Sequence, residues 1–148
     1  MHTYTKIIYH VSFHTKKNHK SINANWKEKL YKYIYGILNN KKCYCYGIGG
    51  TEDHIHIAFS LHPKICLSDL IHDIKLSSTK YIKNDLRIQN FGGWQSGYAA
   101  ITHCEDSLGN LKIYIRDQEI HHRKENSRDE YKRHLNDAKI EFDEKYLF

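Results

Sequence analysis

The sequence predicts an α+β fold in which helices cover a four-stranded antiparallel sheet, and three observations support it. Of 148 residues, 40% are hydrophobic and 27% are charged, which suits one globular domain with a real core. Segments rich in β-branched and aromatic residues alternate with segments of helical apolar spacing. Residues 51–61, TEDHIHIAFSL, predict a strand in which one face is apolar and the other carries two histidines. We expect one domain over residues 1–148, with a charged, partly helical extension at 126–148.

The first half of the chain predicts a strand, a helix and a hairpin. Residues 4–15 are β-branched and aromatic and indicate a first strand. Residues 23–42 carry apolar residues at helical spacing, with Asn23 or Asn25 as the cap. Residues 43–50 indicate a second strand ending in a Gly-Gly turn, and the histidine strand follows as its hairpin partner.

The second half predicts a helix, a strand and two further helices. The helix spans residues 66–86 with Ser68 as its cap, and the strand lies within residues 92–103. A third helix covers residues 107–125 and a charged one residues 127–138. The order β-α-β-β-α-β is the ferredoxin-like, RRM-like arrangement, with two helices on one sheet face. The other face is free for the third helix or for a ligand.

Charge and composition favour an anionic partner. The net charge is +6 and the pI is about 9.0, which makes nucleic acid the first candidate. No run of about 18 apolar residues and no signal-peptide layout is present, so we expect a cytoplasmic protein without membrane association. The four cysteines, Cys43, Cys45, Cys66 and Cys104, should then be reduced.

Polar residues on the histidine strand and on the third helix indicate a metal site. His54 and His56 share one strand face, and Gln118 lies one helical turn beyond Tyr114. If the helix crosses the free sheet face, it brings Tyr114 and Gln118 to the histidines. Two imidazoles and an amide oxygen would give a divalent metal three ligands and leave positions open. The phenol could then attack a phosphorus atom.

Four motifs in this order carry a family resemblance over residues 4–125. His54-Ile55-His56 forms a His-hydrophobic-His strand, and Tyr114 is followed four residues later by Gln118. The segments IYHVSFHTKKNHK and GGWQSGYAAIT complete the pattern. The chain thus resembles the single-tyrosine HUH transposases of small insertion sequences and the related transposases associated with repetitive palindromes.

The resemblance implies an enzyme that cuts and rejoins single-stranded DNA at the ends of a mobile element through a 5′-phosphotyrosine link. It also implies hairpin recognition, a need for Mg²⁺ or Mn²⁺, and a homodimer in which the tyrosine of one subunit can serve the other's histidines. It assigns Tyr114 as the nucleophile and His54, His56 and Gln118 as metal ligands. Candidate DNA contacts are Lys16, Lys17, Trp94, His121 and His122.

Two other functions stay open at this point. A non-catalytic module that binds single-stranded nucleic acid would use this fold, but it should expose aromatics where His54 and His56 stand. A zinc-binding protein could combine these histidines with Cys43 and Cys45.

His121 and His122, in a charged helix end, should be solvated. Because Mg²⁺ prefers oxygen ligands, a site of imidazoles should bind it weakly and should improve with Mn²⁺ or DNA phosphate.

Overall fold

A four-stranded antiparallel sheet lies at the centre of the computed structural model, which describes residues 2–147. Met1 and Phe148, the ends of the predicted domain, lie outside the described residues. The α+β class and the β-α-β-β-α-β order are confirmed. The spatial order is β2-β3-β1-β4, and all neighbours are antiparallel. The strands are β1 (Ile8–His14), β2 (Tyr44–Gly50), β3 (His54–Ser60) and β4 (Ala99–His103).

Two helices cover one face of the sheet and enclose the main core. α1 (Lys27–Asn40) and α2 (Leu67–Lys80) each turn an apolar stripe toward the strands. Ile55, Ile57 and Phe59 of β3 meet these stripes, because alternate residues of a strand share a face. The helical members of this core include Leu30, Ile34, Leu38, Leu70, Ile71 and Ile74.

A third helix lies across the opposite face, which is one of the two alternatives that the sequence left open. α3 (Leu108–Arg116) packs Ile115 against Ala58 of β3. It also approaches β2 closely, since a Cβ built on Gly49 would lie 2.2 Å from the carbonyl oxygen of Ile115. No side chain tolerates such a contact, so Gly49 allows α3 to reach the sheet. The helix thereby holds the neighbouring Tyr114 over the sheet.

The chain does not continue as one helix through residues 107–125, which corrects that prediction. Asp117 leaves helical geometry, with φ −96° and ψ 24°, and α4 (Gln118–His121) begins after it. Aspartate has a low helix propensity, which suits this position, and its carboxylate accepts a hydrogen bond from the exposed Arg116 Nε at 2.9 Å. The predicted charged helix is present as α5 (Ser127–Asp137).

Turn and cap details also differ from the prediction. The glycine pair 49–50 lies inside β2 and pairs with β3, so residues 51–53 form the turn. α2 continues into a π-helical turn over Tyr81–Asp85. Among residues 2–147, no helix is long and apolar enough to cross a membrane. α1 and α2 have no side-chain bond at their N-cap residues, and Asn25 and Ser68 do not cap them. Asn23 Oδ1 does accept the backbone N–H of Asn25 at 2.9 Å, in the turn that leads into α1.

Gly49→Ala is expected to lower the free energy of unfolding by about 1–3 kcal/mol, because the new methyl group meets the backbone of α3. Gly36→Ala is the matched control. It lies in α1 with no atom within 4 Å of the added methyl group, and it should stabilise by about 0.5–1 kcal/mol. Urea unfolding of both variants measures the difference. A Gly49→Ala protein as stable as the wild type would contradict the close approach.

Candidate active site

The two histidines of β3 are buried, and each is oriented through its Nδ1 atom. His54 is 0% and His56 1% exposed. His54 Nδ1 lies 2.7 Å from Asp53 Oδ1, and His56 Nδ1 lies 2.7 Å from His10 Nε2 on the neighbouring β1. These contacts fix the rings, as outer partners do in metal sites. Both Nε2 atoms therefore remain available toward the side covered by the C-terminal helices.

Asp53 is a charged partner of His54. Burial raises the pKa of Asp53, but hydrogen bonds from His54, Ser127 and Thr51 outweigh it and leave the pKa below its usual value. The hydroxyl of Ser127 donates to Asp53 Oδ2 at 3.0 Å, which ties the start of α5 to β3. Burial lowers the pKa of His54, but hydrogen bonds to Asp53 and Glu130 raise it to about 9.

His56 stays neutral, since burial lowers its pKa to about 4 despite the hydrogen bond to Glu130. A neutral imidazole offers a lone pair at one ring nitrogen, which is the form that binds metals. The two histidines therefore differ in charge although they stand one residue apart on the same strand face.

Gln118 aims its amide oxygen at the histidines. Its Nε2 donates to the carbonyl oxygen of Tyr114 at 3.1 Å, which fixes the amide orientation. Its Oε1 then lies 3.1 Å from His54 Nε2 and 3.2 Å from His122 Nε2. The side chain is 1% exposed. The structure thus brings Tyr114, Gln118, His54 and His56 together, as the sequence predicted.

The hydroxyl of Tyr114 contacts three side chains of α5. It donates to the carboxylate of Glu130, lies 3.0 Å from His134 Nε2, and accepts from Arg133 Nη2 at 3.1 Å. Its ring centroid is 5.9 Å from that of His56 in the same chain. Burial and the Glu130 carboxylate raise the pKa of Tyr114, so the resting phenol keeps its proton.

Glu130 was missed by the sequence reasoning. It is 1% exposed, and its Oε1 lies 3.0 Å from His56 Nε2 and 3.2 Å from both His54 Nε2 and His122 Nε2. Burial raises the pKa of Glu130, but the three histidines lower it far more, so the carboxylate is ionised. A signal was present, because Ser127, Glu130 and His134 recur at helical spacing and form one polar face of α5.

These donors fit a divalent cation. The ligand atoms of His54, His122 and Glu130 all lie within 4.8 Å of one another. With one proton on Nδ1 toward Asp53, His54 presents a bare lone pair at Nε2 to the oxygens of Gln118 and Glu130. Lone pairs that face one another need a positive charge between them, either an extra proton or a metal. Nitrogen and oxygen donors of this kind suit Mn²⁺ and related ions.

The proposed zinc set is not assembled, and one histidine prediction was wrong. Cys43 and Cys45 belong to the core on the α1 side of the sheet, opposite the histidines. His122 is not solvated, since its side chain is 12% exposed and faces Glu130. The ring of His121 lies against that of Tyr114 in a tilted arrangement, with centroids 4.6 Å apart.

The other predicted DNA contacts lie outside the cluster. Lys16 and Lys17 are exposed just after β1. Trp94 packs against Phe13, and its indole Nε1 donates to Ser78 Oγ at 2.9 Å. The role of these three side chains as DNA contacts stays a prediction.

Two cavities flank the cluster. One of about 430 Å³ opens beside the Tyr114 hydroxyl and is also lined by His10, His103, Asn110 and Arg133. Another, of about 690 Å³, opens on the side of His122; its lining includes Lys20, Asp53, Arg123, Ser127 and Arg128. Space for a polymer chain is therefore present on both sides of Tyr114 and the candidate ligands.

Comparison with known proteins identifies the family. The family described as "Transposase IS200 like" matches residues 3–118. The chain belongs to this transposase family. Its fold also resembles a candidate transposase from Deinococcus radiodurans R1, at 20% identity and TM-score 0.61, covering 78% of this chain and 93% of the other. A REP-associated tyrosine transposase bound to a REP hairpin is similar at 13% identity and TM-score 0.61, covering 82% and 72%.

A search of curated protein sequences gave no significant match. The matched family segment ends at residue 118, so Tyr114 and Gln118 lie within it, whereas His122, Glu130, Arg133 and His134 lie beyond it. The part of the cluster supplied by α5 therefore lies outside the residues that the family match covers.

Asp53→Asn is expected to lower the pKa of His54 from about 9 toward or below the ordinary imidazole value of about 6.5, because a charge that favours the imidazolium is removed while burial remains. NMR titration of the imidazole signals in chelator-treated protein measures it. Asp129→Asn, at an exposed site on α5, should leave this pKa unchanged. An unaltered His54 pKa in Asp53→Asn would refute the assigned coupling.

Proposed function

We propose that this transposase cleaves and rejoins single-stranded DNA through a metal-assisted 5′-phosphotyrosine intermediate. The observation that carries the proposal is the position of the Tyr114 hydroxyl beside a buried group of metal-binding side chains. Gln118 links the two, because its amide bonds the backbone of Tyr114 and its oxygen faces His54. Family membership supports a reaction on DNA.

Each residue has a role in the proposed cleavage step. Tyr114 loses its proton and its oxygen forms a bond to the phosphorus as the bond to the 3′-oxygen breaks. The 3′-oxygen takes up a proton, so the DNA is joined to the protein by its 5′-phosphate and a free 3′-hydroxyl is released. A metal held by His54, His56 and Gln118 would neutralise charge on the phosphate. Arg133, which already donates to the Tyr114 oxygen at 3.1 Å, places a positive charge where the new bond forms.

Rejoining needs no nucleotide cofactor in this scheme. The phosphotyrosine bond conserves the energy of the broken phosphodiester, so a 3′-hydroxyl of another strand can attack it and release Tyr114. In transesterification the phenol and a DNA hydroxyl are the nucleophiles. Hydrolysis would instead require a positioned water molecule.

The proposed substrate is a strand with a hairpin near the cleavage point. A net charge of +6 and exposed Lys16 and Lys17 favour phosphate contacts. The similar REP-associated transposase is bound to a REP hairpin, which supports the same class of partner here. The sheet face that a simple base-binding module would expose is covered by α3, which disfavours that alternative.

A homodimer is also proposed, and the cytoplasmic location stays a prediction. In the chain described here α3 docks on its own sheet, so Tyr114 lies beside the histidines of the same chain. β2 and β4 form the two edges of the sheet, and open edges invite pairing between subunits. Exchange of Tyr114 between subunits therefore remains an implication of the family resemblance.

Tyr114→Phe should abolish the covalent adduct with single-stranded hairpin DNA while preserving the fold, since only the attacking oxygen is lost. The measurement is a denaturing gel after incubation with Mn²⁺. Tyr44→Phe is the matched control because Tyr44 is 69% exposed on β2. Adduct formation by Tyr114→Phe at the wild-type level would eliminate Tyr114 as the nucleophile.

His54→Ala and His56→Ala should each reduce cleavage by more than about 100-fold, because losing a residue that merely orients a metal ligand already costs about 10–100-fold. Binding to hairpin DNA, measured by fluorescence anisotropy, should be largely retained since basic contacts carry it. His72→Ala, on the exposed side of α2, should cleave normally. If either active-site variant cleaved at the wild-type rate, that histidine would not be a ligand.

A further inference from the structure

The C-terminal helix places a carboxylate where the family match provides none. Glu130 lies beyond residue 118, the end of the matched segment, yet its side chain is buried at the centre of the cluster. Burying a carboxylate costs several kcal/mol unless opposite charge and hydrogen bonds compensate it. Here the three imidazoles that face Glu130 supply that compensation.

The surroundings of Glu130 are arranged as a ligand shell. Its Oε1 lies 3.0–3.2 Å from three imidazole Nε2 atoms, those of His54, His56 and His122. Adjacent ligands of an octahedral ion with bonds of about 2.1 Å stand about 3.0 Å apart. The oxygen of Gln118 keeps the same spacing, at 3.1 and 3.2 Å from His54 and His122.

The orientation of the side chains around His54 also fits a cation at this point. The Nδ1 atom of His54 is engaged by Asp53, and its Nε2 faces only oxygen acceptors, those of Gln118 and Glu130. The Gln118 amide hydrogens are turned away, toward the carbonyl of Tyr114. The Glu130 and Gln118 oxygens and the Nε2 atom of His54 thus converge on the same volume, and once His54 gives up its second proton they form the donor arrangement of a divalent metal.

We propose that Glu130 is an anionic ligand of the active-site metal and that α5 completes the site, with His122 as a further ligand. The inference rests on the proposed function for the metal itself. Its consequence is a site that holds Mn²⁺ or Mg²⁺ before DNA arrives, because a carboxylate oxygen supplies what imidazoles lack for these ions. The second oxygen of Glu130 accepts the hydrogen bond of Tyr114 and so fixes the nucleophile beside the metal.

A Glu130 that blocked the site would change the metal affinity in the opposite direction from a Glu130 that binds the metal. If Glu130 instead blocked the site by pairing with protonated histidines, removing its charge would free the ligands and tighten metal binding. The sign of the change in metal affinity therefore separates a ligand from a blocking group.

The test is calorimetric titration of Mn²⁺ into the metal-free full chain without DNA. We expect one ion per wild-type chain, and binding at least about tenfold weaker in Glu130→Gln, which keeps the shape and loses the charge. Glu141→Gln, an exposed site in the same C-terminal segment, is the matched control and should bind like the wild type. Circular dichroism and melting temperature of the metal-free proteins verify folding.

A second variant covers the case in which Glu130→Gln does not fold. Glu130→Asp keeps the charge that the histidines require but withdraws the carboxylate by one methylene, and it too should bind Mn²⁺ more weakly. Unchanged or tighter binding in the folded variants would overturn the ligand role. A wild type that binds no Mn²⁺ would overturn the metal site as well. A wild type that binds Mn²⁺ through Glu130 but forms no DNA adduct would support this inference and contradict the proposed function.

Discussion

Buried imidazoles must find polar partners, and the organisation of this site follows from that requirement. His54 and His56 leave the apolar face of β3 to the core, and their own side chains are buried on the opposite face. Their partners come from separate parts of the chain, namely Asp53 in the preceding turn, His10 on β1 and Glu130 on α5. The same contacts that satisfy the histidines therefore hold the C-terminal helices over the sheet.

A carboxylate in the cluster resolves a chemical conflict in the predicted ligand set. Two imidazoles and an amide are poor ligands for Mg²⁺, which prefers oxygen and negative charge. Glu130 adds both, and its second oxygen reaches Tyr114, so one side chain joins the proposed metal position to the proposed nucleophile. Ser127 connects the same helix to Asp53. α5 thus contacts the site at the nucleophile, at the ligands and at the residue that orients them.

Strand and helix periodicity predicted most of the fold and the first half of the site. The two faces of β3, the apolar stripe of α3 and the spacing of Tyr114 and Gln118 are local properties, visible in a few residues each. Glu130 could not be found in this way. Its role depends on which face of α5 docks over the histidines of β3, and on the connection between α4 and α5 that brings the chain back to the sheet. The break at Asp117 was missed as well, because the low helix propensity of a single aspartate is too weak a signal to predict an interruption. The zinc alternative failed because Cys43 and Cys45 share the core face of the sheet.

The central claim is that one metal position joins β3, α4 and α5 beside the Tyr114 hydroxyl. Anomalous diffraction from a crystal of the protein grown with Mn²⁺ tests it most directly. The account predicts one strong peak in contact with His54 Nε2, Gln118 Oε1 and a Glu130 oxygen, with the Tyr114 oxygen adjacent. A peak bound elsewhere, or a Glu130 carboxylate turned away from a metal held by the histidines, would contradict it.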